Sequence, residues 1–384
     1  VNAKERFVET ALFGRPDRVP LAVGDVRPAT LERWRKEGLP ADKTAAEFFR
    51  LDLCGINARG IASYPSAGFR WEPSASAVNL GPIPPHEYGL LWEDERYRVW
   101  VDSLGIVQRG FQEDWRRGWS GFATRVFMEF PVKTEEDFSK IRRRYDTKDP
   151  RRYPRGWDEL VKALRTSGSP ISLGIEGPFW WTRNLMGLHN LIINAYTRTE
   201  FLREVVGFYT EFHVQTLHRA LDEVEVDYAV ISEDMAYKKG PMLSPRMARD
   251  LLSPAYRPLA ALLKEHGVKV ILVDSDGNPE PLIPVWLESG IDGLTPCEIA
   301  SGLDLLALRR RYPRLVMIGG IDKRELAKDR AAIEREVLSK VPALIEQGGY
   351  FPGVDHAVPP DVSLESFRHL VRVLRKLCGW ADSP

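Results

Sequence analysis

Val268-Lys269-Val270-Ile271-Leu272-Val273-Asp274-Ser275-Asp276-Gly277-Asn278 decides the fold. The β-branched apolar run Val268 to Val273 reads as a strand buried on both faces, as in a parallel sheet. It stops abruptly at Asp274-Ser275-Asp276, Gly277 makes the turn, and Asn278-Pro279 closes it. Two carboxylates at the carboxyl end of a buried parallel strand belong to a site more often than to a core, because ligands bind at that edge in α/β folds.

Working outward, the same grammar repeats. Downstream, Ile291 to Thr295 ends in Pro296-Cys297-Glu298, Leu315 to Ile318 in Gly319-Gly320-Ile321-Asp322, and Gly349 to Pro352 in Gly353-Val354-Asp355-His356. Upstream, Ile171 to Ile175 ends in Glu176-Gly177-Pro178 and Tyr228 to Ile231 in Ser232-Glu233-Asp234. Helical spacing fills the gaps: Glu200 to Asp222 through Phe201, Val205, Phe208, Phe212, Leu217 and Leu221; Ser244-Pro245 up to Gly267; Ala331 to Gln347; Ser363 to Leu377. Short runs near 19 and 54 complete eight strands. Eight βα units predict an α/β fold of the TIM (β/α)8 barrel type. No Gly-x-Gly-x-x-Gly follows an early strand, so a dinucleotide fold lacks its sign.

Residues 60–153 break the pattern, being rich in Pro, Gly and Trp. Tyr97 to Val101 and Gly105 to Arg109 predict a hairpin around Asp102-Ser103, Arg125 to Phe130 another strand, and Thr134 a helix cap. This stretch reads as a lid-like insertion between the second and third strands of a single domain spanning 1–384. Six arginines between Arg142 and Arg155 read as a solvated face, or more sharply as an anion-steering patch.

Composition limits the partners. Lys plus Arg equals Asp plus Glu, 54 each, so nucleic acid and basic membrane binding are disfavoured. Three distant cysteines, Cys54, Cys297 and Cys378, fit a reduced, cytoplasmic chain rather than a disulfide framework. No signal-peptide pattern opens the sequence, and no run approaches the roughly 18 apolar residues of a membrane span.

If the barrel is right, its mouth gathers Asp25, Glu176, Glu233, Asp234, Asp274, Asp276, Glu298, Asp322, Asp355 and His356. Clustered carboxylates raise one another's pKa, which suits acid/base work near neutral pH. Asp234, Asp274 and His356 are the catalytic candidates. Glu176, Trp180, Asp276, Asn278 and Asp355 are the substrate-binding candidates. Asp274, Asp276 and His356 form a candidate set for a hard metal. Of the neighbours Glu233 and Asp234 a regular strand would turn only one inward, and Asp234 is the choice. Asp322 reads as a helix cap paired with Glu325. Cys297 reads as a packed thiol, with a ligand or nucleophile as the sharper alternative. Trp180 and Trp181, with Trp92, Trp100, Trp115 and Trp119 of the insertion, read mostly as packing, though a flat ligand would stack on such rings.

The chain resembles the uroporphyrinogen decarboxylase superfamily. The resemblance rests on Glu5-Arg6-Phe7, Pro16-Asp17-Arg18-Val19-Pro20, Gly174-Ile175-Glu176-Gly177-Pro178, Ser232-Glu233-Asp234, Gly240-Pro241, Leu243-Ser244-Pro245, Asp274-Ser275-Asp276-Gly277-Asn278, Gly319-Gly320-Ile321-Asp322 and Gly348-Gly349-Tyr350 with Asp355-His356. It implies a TIM barrel, and either the decarboxylase of tetrapyrrole synthesis or a methyltransferase working with corrinoids. The decarboxylase's arginine-rich turn after the first strand is Gly24-Asp25-Val26-Arg27-Pro28 here, with one arginine. The His-x-Cys of zinc-dependent corrinoid methyltransferases is Asp274-Ser275-Asp276, and their late Cys falls at Gly353-Val354-Asp355. The late histidine of the decarboxylase matches His356. The layout implies a methyltransferase-like enzyme moving a methyl group between a small substrate and a corrinoid carried by a partner protein. The alternatives are decarboxylation of a tetrapyrrole acetate group and a non-catalytic barrel that binds a tetrapyrrole or corrinoid.

Overall fold

Seven strands of the computed structural model lie side by side in the order in which the chain makes them. They are Arg59–Gly60, Ile171–Glu176, Tyr228–Ser232, Val270–Asp274, Gly293–Thr295, Val316–Ile321 and Tyr350–Val354. Every pairing between them is parallel. The structure describes residues 1–21, 26–52, 59–64, 74, 77–116 and 125–381. Val26 makes a single parallel bridge to Val358, past the end of the seventh strand, and residues 22–25, at the end of the predicted first strand, lie outside the described residues. The run near 54 lies mostly outside the described residues; its described end, Arg59–Gly60, pairs with Ile171 and Ser172.

Alternation along the strands sorts their side chains into two cores. Tyr228, Val230, Val270, Leu272, Val316, Ile318 and Phe351 pack together on one face with Phe7 and Ala11. Ala229, Ile231, Ile271, Val273, Met317 and Tyr350 face the helices on the other. The continuous Val/Ile/Leu run of the central strand follows directly, because neither face meets water. The helix Ala3–Ala11 supplies the plug of the inner face: the Phe7 ring lies 4.5 Å from that of Tyr228 and 4.9 Å from that of Phe351. Burying each such ring stabilises the fold by about 2–3 kcal/mol.

The predicted helices form, with two instructive breaks. The segment from Ser244 is two helices, Pro245–Leu251 and Ser253–Glu265, and the segment from Ala331 is Arg330–Leu338 and Val341–Gln347. Pro254 and Pro342 start the second helix of each pair; a proline has no N–H to give and clashes with the carbonyl four residues back. Asp322 caps the helix Lys323–Leu326 as expected, but its own N–H goes to Glu336 at 2.7 Å and not to Glu325.

Inside the 60–153 stretch, Gly89–Glu93, Tyr97–Val101, Val107–Phe111 and Val126–Glu129 form an antiparallel sheet in that order. The predicted hairpin is its centre. Buried Asp102 organises the turn, accepting from the N–H groups of Leu104 (3.0 Å) and Ile106 (2.9 Å) and from Gln108 Nε2 (2.5 Å). Of the six arginines, Arg142, Arg143, Arg151 and Arg155 are exposed. Arg152 is not solvated: it is buried and donates to the carbonyls of Asn79, Gly81, Arg144 and Asp146, stapling the insertion to itself. Among the described residues no helix is long and apolar enough to cross a membrane.

Candidate functional site

Parallel register puts Glu176, Ser232, Asp274 and Thr295 in one row at the carboxyl ends of four adjacent strands. Asp274 is the hub of that row. Its carboxylate accepts from Ser232 Oγ at 3.3 Å, and Ser232 in turn accepts from the Tyr64 hydroxyl at 3.0 Å. Burial, then repulsion from Asp276 and Asp234, pushes Asp274 up to about 7. One hydroxyl donor is too little to hold a carboxylate ionised there.

Gly277 turns the chain back after Asp276. Its φ is +79°, and a Cβ at that position would lie 2.7 Å from the carbonyl carbon of Ala236, so glycine is required for both reasons. The turn delivers Asp276 to His356, whose Nε2 lies 3.0 Å from Asp276 Oδ2. That hydrogen bond raises the His356 pKa against the opposing effect of burial. His356 Nδ1 is buried and has no partner among the described residues. Asn278 serves the turn: its Oδ1 accepts from Glu280 N–H at 3.2 Å, and its own N–H reaches the carbonyl of Tyr237.

At the end of the strand Tyr228–Ser232, Glu233 and Asp234 take different surroundings, Asp234 with a left-handed backbone, φ +40°. Glu233 is fully buried, accepting from the Tyr256 hydroxyl and from Trp180 N–H (3.0 Å), and desolvation raises it to about 7. A Cβ on Gly177 would collide with it, which explains the Glu176-Gly177-Pro178 turn. Asp234 stays half-exposed, raised by burial, with Arg183 Nη2 at 3.5 Å and Arg183 Nη1 donating to its carbonyl at 3.1 Å. Arg183 also lies over the Trp180 ring, 4.0 Å from its centre. Glu176 is buried against Asn184, which donates to its Oε1 at 2.5 Å; burial raises it to about 8. Trp181 and Trp100 pack in the core, whereas Trp92 is exposed; the Trp115 side chain and Trp119 lie outside the described residues.

The opposite rim is built differently. Glu298 accepts from Gly277 N–H (2.9 Å), Ser301 Oγ (3.0 Å) and Lys323 Nζ (3.0 Å). Those donors outweigh its burial and hold it below the usual carboxylate range. Asp355 is completely buried beneath, 3.6 Å from Lys323 Nζ and accepting from the N–H groups of Lys323 (3.1 Å) and Ala300 (3.3 Å). Its place in the structure is therefore under the rim, as a strut for Lys323. Cys297 is packed: buried, its thiol pushed up to about 12 by desolvation and directed at the carbonyl of Leu294. Asp322 is occupied with Arg324 Nη2 at 2.6 Å.

The donors test the implied metals. A thiolate zinc site needs sulfur and imidazole, and this face offers Asp274, Ser275 and Asp276 with a thiol buried elsewhere. The ligand atoms of Asp274, Asp276 and His356 do not gather within 4.8 Å of one another, a condition that His218, Asp222 and His266 alone satisfy among the described residues. Asp25 lies outside the described residues.

The sequence profile of the uroporphyrinogen decarboxylase (URO-D) family matches residues 124–377, most of the chain. The chain belongs to the URO-D family. In fold it is similar to a methyltransferase from Methanosarcina mazei, with a TM-score of 0.56 at 15% identity over 98% of both chains. A B12-independent methionine synthase from Shewanella sp. W3-18-1, solved with selenomethionine, aligns over 76% of this chain and 73% of its own at 12% identity and a TM-score of 0.37. No curated protein matches the sequence.

URO-D proteins are TIM-barrel enzymes, and the parallel α/β sheet is the part of that fold the described residues show. Sequence reasoning missed Arg183, Asn184, Tyr256 and Lys323. Trp180 and Arg183 were readable as an i,i+3 pair on the first helix turn after Glu176-Gly177-Pro178. Tyr256 and Asn184 carry no such signal, because only packing brings their helices over Glu233 and Glu176.

Proposed function

We propose that this URO-D protein is a methyl-transfer enzyme that takes a neutral or cationic methylated small molecule at the strand-end face. The observation that supports it is the charge of that face. Asp234, Asp274 and Asp276 surround His356, with Arg183 already paired to Asp234. A tetrapyrrole carrying many carboxylates needs several arginine forks, and an acid-rich face repels it. A methylated amine, thioether or aryl ether suits it.

In this reading Trp180 and Arg183 flank the donor, and the Asp276–His356 pair orients it through the unpartnered Nδ1. A corrinoid carried by a partner protein supplies the methyl acceptor and brings its own metal ligands, so it asks for no ligating side chain here. The carbon–heteroatom bond breaks with its electron pair remaining on the heteroatom. The Asp274 carboxyl, raised to about 7 and so still partly protonated at neutral pH, gives that atom its proton and recovers one from water. Glu176 and Glu233 lie beneath, both raised by burial, so the floor carries less charge than two ordinary carboxylates would.

The test is methyl transfer to reduced cobalamin from a panel of methylated amines, thiols and aryl ethers. Transfer from at least one donor, lost in Asp274→Asn, is expected. Silence across the panel sinks the reading, and turnover of uroporphyrinogen would put decarboxylation in its place.

A further inference from the structure

A second cluster lies at the other end of the sheet. His218 and Asp222 occupy the last turns of the helix Thr199–Glu223, and His266 caps the carboxyl end of the helix Ser253–Glu265. Each helix leads into the amino end of a strand, Tyr228–Ser232 and Val270–Asp274, so the cluster sits opposite the strand-end face. The spacing of His218 and Asp222 puts them on one helix face.

We propose that His218, Asp222 and His266 bind a borderline divalent transition metal, such as zinc, nickel or copper(II), that clips the two helices together. Their ligand atoms lie within 4.8 Å of one another. Asp222 Oδ1 is 3.1 Å from His266 Nε2, and Asp222 Oδ2 is 3.8 Å from His218 Nδ1. An ion at the usual ~2.0–2.2 Å from nitrogen and oxygen ligands sets them about 3.0–3.5 Å apart. His218, which is exposed, has the longer of the two distances to close.

The hydrogen bonds of His266 point the same way. Its Nδ1 lies 2.8 Å from the carbonyl oxygen of Leu262, which can only accept, so Nδ1 carries a proton. Its Nε2 then faces a carboxylate oxygen, which also only accepts. The contact is attractive only with a cation, either a proton or a metal ion, between the two atoms. A backbone carbonyl on the far ring nitrogen is the usual way a metal-binding imidazole is aimed. The carboxyl ends of the two helices meet here, and the negative ends of their dipoles favour a cation further. The neighbouring cations are engaged elsewhere: Arg219 with Glu223 and Asp158, Lys264 with Asp292. Two imidazoles with one carboxylate select zinc, nickel or copper(II) over magnesium or calcium.

Calorimetric titration of the full chain with Zn²⁺ tests this. One saturable ion per chain is expected, with affinity falling about tenfold or more in His218→Ala and in His266→Gln, and unchanged in His189→Ala, a surface histidine on another helix. Zn²⁺ should raise the Tm of the wild type and not of those two variants. His218→Ala changes an exposed side chain, and an unaltered Tm in EDTA confirms that it folds. Absence of one-to-one binding overturns the proposal. So does a bound ion that survives His218→Ala, or one that is lost in His356→Ala and therefore sits at the strand-end face.

Discussion

The two rims of the strand-end face bury carboxyls by opposite means. On one, Glu298 and Asp355 meet an ammonium and backbone N–H groups; Glu298 is held ionised, and Asp355, though raised by its complete burial, is opposed by Lys323 and two N–H donors. On the other, burial raises Glu176, Glu233, Asp234 and Asp274 despite donors such as Asn184, Tyr256, Arg183 and Ser232. The first arrangement holds shape. The second keeps protons near neutral pH at the expense of stability, as the proposed acid role of Asp274 requires. Asp276 and His356 bridge the two.

The strongest way to break this contrast is Asp274→Asn. Methyl-transfer kcat should fall about 10²–10⁴-fold, the range of a lost general acid, while the Tm stays near that of the wild type. In the wild type, kcat should decline as pH rises through about 7, where Asp274 loses its proton. A variant that kept both the rate and that decline would move the acid elsewhere.

Lys323→Met attacks the structural rim. It leaves Asp355 buried without its cation, and urea unfolding should show a loss of about 3 kcal/mol. A loss confined to activity would reverse the assignment of the two rims.

Glu176→Gln sharpens the contrast through pH. A carboxyl raised in the folded state binds its proton more tightly there than in the unfolded chain. Its drag on stability is therefore absent below the unfolded value near 4.5 and grows as pH climbs toward about 8. The amide oxygen can still accept from Asn184. The variant should gain about 1–3 kcal/mol relative to wild type between pH 5 and pH 8, read from unfolding at the two pH values.

The smallest effect is expected from Asp276→Asn. Removing the partner that raises His356 should shift its NMR titration downward. The raised imidazole makes the pair stabilising below about 6.5, the ordinary histidine value, and that contribution fades as pH rises through the folded value. An unmoved titration would mean that His356 answers to some other group.

Much of this layout was legible before any coordinates. The Val268–Val273 run and its abrupt Asp274-Ser275-Asp276-Gly277 ending specify a doubly buried parallel strand with carboxylates at its tip, because only that environment tolerates both. Six of the eight predicted strands, from Ile171 onward, recur in the sheet for the same reason. What stayed hidden depends on backbone geometry or distant packing. The left-handed backbone at Asp234 and the seat of Glu233 against Tyr256 had no sign in the sequence. Asp355, adjacent to His356, goes underneath instead of facing the site, because the strand's alternation carries it toward Lys323. The continuous helical spacing from Ala331 concealed a break that Pro342 enforces.

The Phe7 ring, wedged between Tyr228 and Phe351, ties the helix Ala3–Ala11 to a strand made far later along the chain. During synthesis the seat of Ala3–Ala11 stays incomplete until Phe351 has emerged. Closing this part of the interior thus waits for the strand Tyr350–Val354, and a nascent chain short of it would show its apolar floor to chaperones.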